Sequence, residues 1–281
     1  MDIRSYFDAM VGSVLVERMK KRVSDGRVLR LIQKGIQGGV IDDGQRLVSA
    51  TGTGQGQPIS PLQPNVYRHD VLDPWLEEVV KPRWKGEAYE IRCADDAILC
   101  FQHKGDAEKV RRVLPKRFAK FGRTRHPEKT RRMEFGRLAA GKAKQQGKQP
   151  ETFDFLGLTH RGARSRKGKF TGQVKTIAQR LRRGLTAVAE WCQQHRHDPV
   201  SVQQKTLNAK LRRHYPYYGR PTNYRSLGQF YRKVRRIWRL WLSRRTRGRL
   251  LTWERFAAIL RPYPLSLPRI PHSWAGAGSH A

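Results

Sequence analysis

Two adjacent carboxylates, Asp95 and Asp96, lie between two short apolar runs, and this stretch constrains the fold more than any other. The flanking runs, 89–91 and 97–101, are rich in β-branched, aromatic and other apolar residues, so we predict a β-hairpin with both carboxylates at its turn. Neighbouring carboxylates repel each other, and a hairpin that presents them together commonly holds a divalent cation. A solvated Asp-Asp turn is the alternative, because aspartate also fills turns readily.

The charge of the chain indicates a polyanionic partner. The 281 residues include 58 Lys and Arg against 23 Asp and Glu, a formal net charge of +35. Most of the excess lies in residues 161–281, which carry 28 basic and three acidic side chains. Nucleic acid is the first candidate for such a partner. An anionic membrane surface is the weaker alternative, because the basic part is rich in Trp and Tyr and is expected to fold.

The same sequence argues for a reducing environment. No apolar run is long enough to cross a membrane, and the first residues do not resemble a signal peptide. Cys93, Cys100 and Cys192 have no zinc-ligand spacing, and their odd number argues against a disulfide framework. We therefore expect a cytoplasmic protein without a membrane partner.

Hydrophobic spacing predicts how helices and strands alternate along the first part of the chain. The predicted elements are two helices between residues 14 and 36 that break near residues 24–26, helices over 65–75 and 107–121, strands at 133–135 and 153–158, and a solvent-exposed loop over 139–149. Together with the hairpin, this order predicts an α+β fold in which an antiparallel sheet is backed by helices.

The basic second part is predicted to be helical after a loop at residues 164–169. Between residues 230 and 242, apolar side chains fall on one helical face and Arg232, Lys233, Arg235 and Arg236 fall largely on the other. We expect the aromatic residues of that helix to lie in the core, with base stacking as the alternative. The basic face is either solvated or in contact with phosphates, and the near absence of anions favours phosphates.

Two further stretches suggest contacts with a nucleic acid. Residues 214–219 interleave His and Tyr, including Tyr217 and Tyr218, with Arg212 and Arg213 close by, a mixture that suits unpaired RNA. The Gly-rich loop at 51–62 precedes a predicted helix, where backbone N–H groups can meet phosphates. It fits neither common phosphate-binding loop pattern, and a plain flexible turn is the alternative.

With these residues in view, the chain resembles the bacterial group II intron-encoded reverse transcriptase/maturase family of retron-type RNA-directed DNA polymerases. The resemblance covers nearly the whole chain. It is carried by the stretches Asp2–Asp8, Gly52–Leu62 with Asn65 and Tyr67, Cys93–Asp96, His126–Thr130, Phe155–Gly157 and Leu207–Trp274.

The resemblance implies a right-hand polymerase palm over residues 1–160, followed by an α-helical thumb and maturase domain over 161–281 that binds intron RNA. Asp2, Asp95 and Asp96 would hold two Mg²⁺ ions, which suit hard carboxylate oxygens. Lys129 would assist proton transfer to pyrophosphate.

The resemblance implies further binding roles. Phe7 would screen the sugar 2′ position, and Gln55 and Gly56 would lie near the template and the incoming nucleotide. The expected partners are template and intron RNA, a DNA primer and deoxynucleoside triphosphates, with a homodimer left open. The RNA-binding residues on this interpretation are Arg212, Arg213, Tyr217, Tyr218, Arg232, Lys233, Arg235 and Arg236.

The sequence also departs from the family pattern. The family has a long fingers region before its first catalytic Asp, whereas Asp2 follows Met1 here, so we expect an N-terminally truncated enzyme with impaired activity. Gly54 replaces a Pro of the loop, and Cys93 replaces the Tyr of the hairpin. Two alternatives therefore stay open beside an active polymerase: an RNA-binding splicing maturase without polymerase activity, and a decayed fragment.

Overall fold

Two compact units make up the chain, residues 1–132 and residues 133–281. The computed structural model describes residues 16–17, 19–37, 40–42, 45–47, 69, 72–93, 96–119, 130–165, 167–245 and 251–271. The predicted palm over residues 1–160 and the predicted thumb and maturase domain over 161–281 stay predictions.

The first unit combines helices with two antiparallel hairpins. Its described elements are α1 (Gly26–Gln37), β1 (Val40–Asp42), β2 (Gln45–Leu47), a helical segment over 73–83, β3 (Ala88–Cys93), β4 (Asp96–Phe101) and α2 (Lys104–Ala119). The helical segment includes a π-helical stretch, Trp75–Val80, and ends in a 3₁₀ turn, Lys81–Arg83. Leu76 of this segment and Leu72, which precedes it, are buried with Leu114 and Phe118 of α2 in the core of this unit.

The predicted break between the first two helices is confirmed. Residues 16, 17, 19 and 20 are helical, residues 21–25 are not, and α1 begins at Gly26. The Asp25 carboxylate accepts a hydrogen bond from the backbone N–H of Arg27 at 2.8 Å. This is the bond that an N-cap aspartate makes, and it satisfies one of the free donors of the first turn.

The second unit joins a three-stranded antiparallel sheet to a helical bundle. Its described elements are α3 (Arg137–Gln145), β5 (Thr152–Phe155), β6 (Leu158–Arg164), β7 (Phe170–Thr176), α4 (Ala178–Gln194), α5 (Val200–Tyr218), the 3₁₀ turn Pro221–Asn223, α6 (Tyr224–Ser243) and α7 (Trp253–Leu260). The strand order is β5-β6-β7. Asn223 ties the sheet to the bundle, since its Oδ1 accepts from the Thr176 N–H at 2.9 Å.

Four sequence expectations for this region are wrong. The stretch after the loop at 164–169 is not helix but strand β7, because it pairs with β6 along its whole length, and the first helix begins only at Ala178. Residues 133–135 form no strand: the Glu134 N–H donates to the Glu151 side chain, while Phe135 packs edge-on against Phe153. The expected loop at 139–149 is mostly helix α3, because Ala, Leu, Lys and Gln favour helix even without an apolar face. The expected strand at 153–158 is broken after Phe155 by a turn in which Leu156 and Gly157 have positive φ.

The bundle core is formed by apolar residues of α4 to α7. Helix α6 buries Phe230, Val234, Trp238 and Leu242 along one face, as its sequence pattern predicts. The aromatic residues Phe230 and Trp238 are therefore core residues. With its antiparallel sheets and helices followed by a helical region, the structure confirms the predicted α+β fold class. No described helix is both long and apolar enough to cross a bilayer.

Candidate catalytic hairpin and nucleic-acid interface

The predicted acidic hairpin is present as the antiparallel pair of β3 and β4. Strand β3 pairs with β4 from Ala88–Phe101 to the closing pair Cys93–Asp96. Side chains alternate between the two faces of the hairpin along each strand. Arg92, its partner Ala97 and Leu99 therefore lie on the same face, and Leu99 packs against the core of the first unit. Asp96 falls on the opposite face, at the turn, and is exposed.

The carboxylate of Asp73 connects the helical segment to the turn end of this hairpin. Its Oδ2 accepts a hydrogen bond from Arg92 Nη2 at 3.0 Å and shares a second one with His69 Nδ1 at 2.7 Å. The opposite end of the hairpin is held by another aspartate, since Asp106 Oδ2 accepts from the Lys85 N–H at 2.9 Å. Asp106 is buried, whereas Asp73 is partly buried.

Most of the predicted catalytic residues lie outside the described residues. These are Asp2, Phe7, Gln55, Gly56, Asp95 and Lys129. Of the predicted metal ligands, the structure describes Asp96, whose exposed carboxylate at a turn has the oxygen chemistry that Mg²⁺ prefers. Within the described ranges, no cluster of three or more His, Cys, Asp or Glu side chains could hold a metal ion. Metal binding by the three aspartates therefore stays a prediction.

The predicted RNA-binding cations lie on two helices of the second unit. Arg212 and Arg213 are exposed on α5, and Arg232, Lys233 and Arg236 are exposed on α6. Arg235 is half-buried, with its guanidinium 5.8 Å from the centroid of the Tyr231 ring. Both helices pack into one core, so the same folded unit carries all of these cations. That arrangement suits contacts with several phosphates.

The Tyr-rich run contains both surface and core residues. Tyr217 is 56% exposed and donates to the Leu156 carbonyl at 3.3 Å, across the β5–β6 turn. Tyr218 is half-buried, and burial raises the pKa of its hydroxyl, with a smaller contribution from Tyr217. Arg180 and Arg183 oppose that shift and therefore lie near Tyr218. Sequence reasoning missed these two arginines, although their three-residue spacing on a helix places them on one face.

His214, which opens the Tyr-rich run, belongs to the core. Its ring lies parallel to Phe230, with the ring centroids 3.9 Å apart and the planes at 9°. Burial lowers the pKa of His214 to about 4, so its ring is neutral at physiological pH. A neutral, stacked imidazole packs like an aromatic residue. His214 therefore contributes to the bundle core rather than to a charged surface.

Sequence reasoning also missed the contact between Asp73 and Arg92. Strand alternation gives the signal that could have found it, because it places Arg92 on the same face as Ala97. Ala97 is buried, and a cation on an inner face needs an anionic partner. Which anion supplies the charge depends on the tertiary fold, since Asp73 and Arg92 are 19 residues apart.

An α+β unit with an acidic hairpin, followed by a strongly basic region that is mostly helical, is the arrangement expected of a nucleic-acid polymerase. The family model described as "Reverse transcriptase (RNA-dependent DNA polymerase)" matches residues 1–160. The chain belongs to this reverse transcriptase family.

Two curated proteins share part of this sequence. Protein YkfC of Escherichia coli K12 is 36% identical over 77 residues, which are 27% of this chain and 20% of that protein. The "Uncharacterized 91 kDa protein in cob intron" of Schizosaccharomyces pombe is 30% identical over 78 residues, 28% of this chain and 10% of that protein. The chain thus matches a fifth or less of the length of either relative.

Proposed function

We propose that this chain acts as an RNA-directed DNA polymerase of the group II intron type, with residues 1–160 as the polymerase part and residues 161–281 as an RNA-binding thumb and maturase part. The observation that carries the proposal is the hairpin within the matched family region, which presents Asp96 at its turn. The name of the S. pombe relative places that protein in an intron, and this supports the intron-encoded type.

On this proposal, Asp2, Asp95 and Asp96 would hold two Mg²⁺ ions. When bound, the ions supply Lewis-acid stabilisation of the oxygens that change bonding during nucleotidyl transfer. Phe7 would exclude a ribose 2′-hydroxyl, Gln55 and Gly56 would act near the template and the incoming deoxynucleotide, and Lys129 would donate a proton toward the leaving pyrophosphate. The three free cysteines suit a reducing cytoplasm.

The basic helices would hold the RNA. Arg212 and Arg213 on α5 and the exposed cations of α6 would pair with phosphates, and Tyr217 would offer its exposed ring to an unpaired base. Tyr218 is half-buried, so its ring would lie at the border between the RNA contact and the protein core. Template RNA, a DNA primer and deoxynucleoside triphosphates are the substrates that this function requires.

Primer extension on an RNA template tests the polymerase proposal. Wild-type protein should extend a DNA primer, whereas Asp95→Asn and Asp96→Asn should each reduce extension at least a hundredfold. Glu77→Gln is the matched control, because it also removes one exposed carboxylate, and that carboxylate pairs with Lys81 rather than standing at the hairpin turn. Equal extension by wild type and Asp96→Asn would contradict the proposal.

A second candidate is an RNA-binding maturase without polymerase activity. The concentration of basic side chains in residues 161–281 favours it, since that charge serves RNA binding whether or not the hairpin holds metal. Steep salt dependence of intron RNA binding, with no primer extension by wild-type protein under any divalent cation, would select this candidate.

A further inference from the structure

The hydrogen bonds of Asp73 converge on the strand that carries the acidic turn. Asp73 Oδ2 contacts both Arg92 Nη2, at 3.0 Å, and His69 Nδ1, at 2.7 Å. The Asp73 and Arg92 side chains are only 24% and 22% exposed. An ion pair that is also a hydrogen bond is stronger than a neutral one, and partial burial limits its screening by salt.

Arg92 lies close to the turn of the hairpin, so its contact with Asp73 acts on the backbone near Asp96. Arg92 pairs with Ala97, and this pair lies next to the closing pair Cys93–Asp96. Consecutive Cα atoms are about 3.8 Å apart, so the Asp73 contact holds the backbone within one residue of the pair that contains Asp96. A strand fixed at this point cannot fray from its turn without breaking the ion pair.

Buried side chains hold the helical segment that carries Asp73. Leu72 is 0% exposed and Leu76 is 1% exposed, and both pack with Leu114 and Phe118 of α2. Leu99 of the hairpin packs against the same cluster. Asp73 therefore projects from a segment that the core holds in place, and its hydrogen bond links strand β3 to that segment.

We propose that Asp73, through Arg92 and with His69, is a positioning residue that fixes the turn of the acidic hairpin and thereby holds Asp96 where a divalent cation binds. The proposal rests on the assignment of Asp96 as a metal ligand. Asp73 itself touches neither metal nor substrate. It acts through the backbone of β3.

Asp106 provides a matched comparison within the same unit. It too is an aspartate that accepts a hydrogen bond at the hairpin, but its partner is the Lys85 N–H, at the end remote from the turn. Asp106→Asn should therefore weaken the unit without moving Asp96. A purely structural role for Asp73 would give the Asp73→Asn variant the same properties as Asp106→Asn.

Hydrogen–deuterium exchange of the full-length chain tests the positioning step without metal. Asp73→Asn should speed amide exchange in peptides that cover residues 91–97 by tenfold or more, whereas Asp106→Asn should act mainly on peptides around residue 85. Arg92→Gln should reproduce the first pattern, and Arg92→Lys, which keeps the cation, should give a smaller increase. The proposal is overturned if Asp73→Asn leaves the turn unchanged or affects it no more than Asp106→Asn does.

Cleavage directed by bound Fe²⁺ tests the metal step in the same proteins, because Fe²⁺ replaces Mg²⁺ and cuts the nearby backbone when ascorbate and peroxide are added. Wild type and Asp106→Asn should be cut near residues 93–97 at similar Fe²⁺ concentrations, and Asp73→Asn should need at least fivefold more. Cutting of Asp73→Asn at the wild-type concentration would overturn the proposal.

The two experiments separate this proposal from the proposed function. If Asp96→Asn is cut like wild type, or if the wild-type hairpin is not cut at all, the metal assignment and with it the polymerase function fail. The exchange result then still decides whether Asp73 fixes the turn. If Asp96→Asn alone loses cleavage and Asp73→Asn behaves like Asp106→Asn, the polymerase function stands and the positioning role fails.

Discussion

The imidazole of His214 stacks on the ring of Phe230 at a centroid distance of 3.9 Å, which joins α5 to α6 inside the helical unit. The Nε2 atom of His214 is buried and has no hydrogen-bond partner among the described residues. Burial lowers the pKa of His214 from 6.5 to about 4. The folded unit therefore favours the neutral ring.

This pKa shift predicts a stability loss in acid. Because the pKa of His214 is lower in the folded state than in the unfolded chain, the unfolded chain binds a proton first as the pH falls. The full stability is therefore present above pH 6.5 and decreases as the pH drops toward 4. After discounting for partial exposure, the loss should be about 2 kcal/mol. Urea unfolding of wild type and His214→Gln at pH 7 and pH 4.5 measures it.

The variant His214→Gln should lose less stability between these two pH values than wild type. The exposed His197 supplies the control, since His197→Gln should keep the wild-type pH dependence. Identical pH dependence in wild type and His214→Gln would contradict the assignment of a neutral, buried ring.

Gln203 is predicted to be the costliest polar residue of the bundle to remove. It is 1% exposed; its Nε2 donates to the carbonyls of His195 and Asp198, and its Oε1 accepts from Trp238 Nε1 at 2.8 Å. Gln203→Ala leaves a buried indole N–H without an acceptor, and we expect a loss of about 3 kcal/mol in the free energy of unfolding.

Chemical denaturation of Gln203→Ala beside Gln204→Ala checks this value. The neighbouring Gln204 donates one exposed hydrogen bond, to the Pro264 carbonyl at 2.9 Å. Its loss should cost about 0.5 kcal/mol, because water replaces an exposed partner. Similar losses for the two variants would show that the buried hydrogen bonds of Gln203 stabilise the fold no more than the exposed one of Gln204.

Local sequence signals were sufficient for the hairpin and for α6. The turn residues and flanking apolar runs predict β3 and β4, and the helical spacing of Phe230, Val234 and Trp238 predicts the buried face of α6. In both cases the information lies within about twenty consecutive residues. Short-range patterns of this kind specify an element without reference to the rest of the chain.

Elements that depend on distant partners were not predictable in the same way. Strand β7 contains few apolar residues, and part of its pairing comes from Thr222, whose hydroxyl accepts from the Val174 N–H at 2.8 Å. These residues are 48 positions apart. The Asp73–Arg92 contact is likewise tertiary. Helix α3 was missed for a different reason, because its polar composition hides good helix propensity.

A side chain at Gly157 should destabilise the β5–β6 turn, because the backbone there is left-handed. Its φ is +76°, and a Cβ at this position would come within 3.4 Å of the Tyr218 hydroxyl. Gly157→Ala should therefore lower the free energy of unfolding by about 1–2 kcal/mol, since the left-handed conformation is unfavourable for an L-residue.

Thermal unfolding distinguishes this strain from the general effect of replacing glycine. Gly172→Ala in β7 is the control, because a Cβ there would meet nothing within 4 Å and the backbone φ is not positive. It should leave the unfolding temperature unchanged or raise it slightly. A loss in Gly172→Ala as large as that in Gly157→Ala would refute the strain argument.

The exposed cations of α6 should determine how RNA binding depends on salt. A combined replacement of Arg232, Lys233 and Arg236 by Ala removes three exposed charges from one helix. If each meets a phosphate of single-stranded RNA, the slope of log K against log salt concentration should become shallower by about 2. Filter-binding titrations between about 50 and 200 mM salt, run with wild type and variant, measure that slope.

The control removes the same number of charges elsewhere. Arg111, Arg112 and Lys116 are exposed on α2 in the first unit, and their replacement by Ala lowers the net charge equally. Because a delocalised charge effect would treat both triple variants alike, equal slopes would exclude α6 as a specific interface. A slope change confined to the α6 variant is the expected result, since only phosphates in direct contact release counterions on binding.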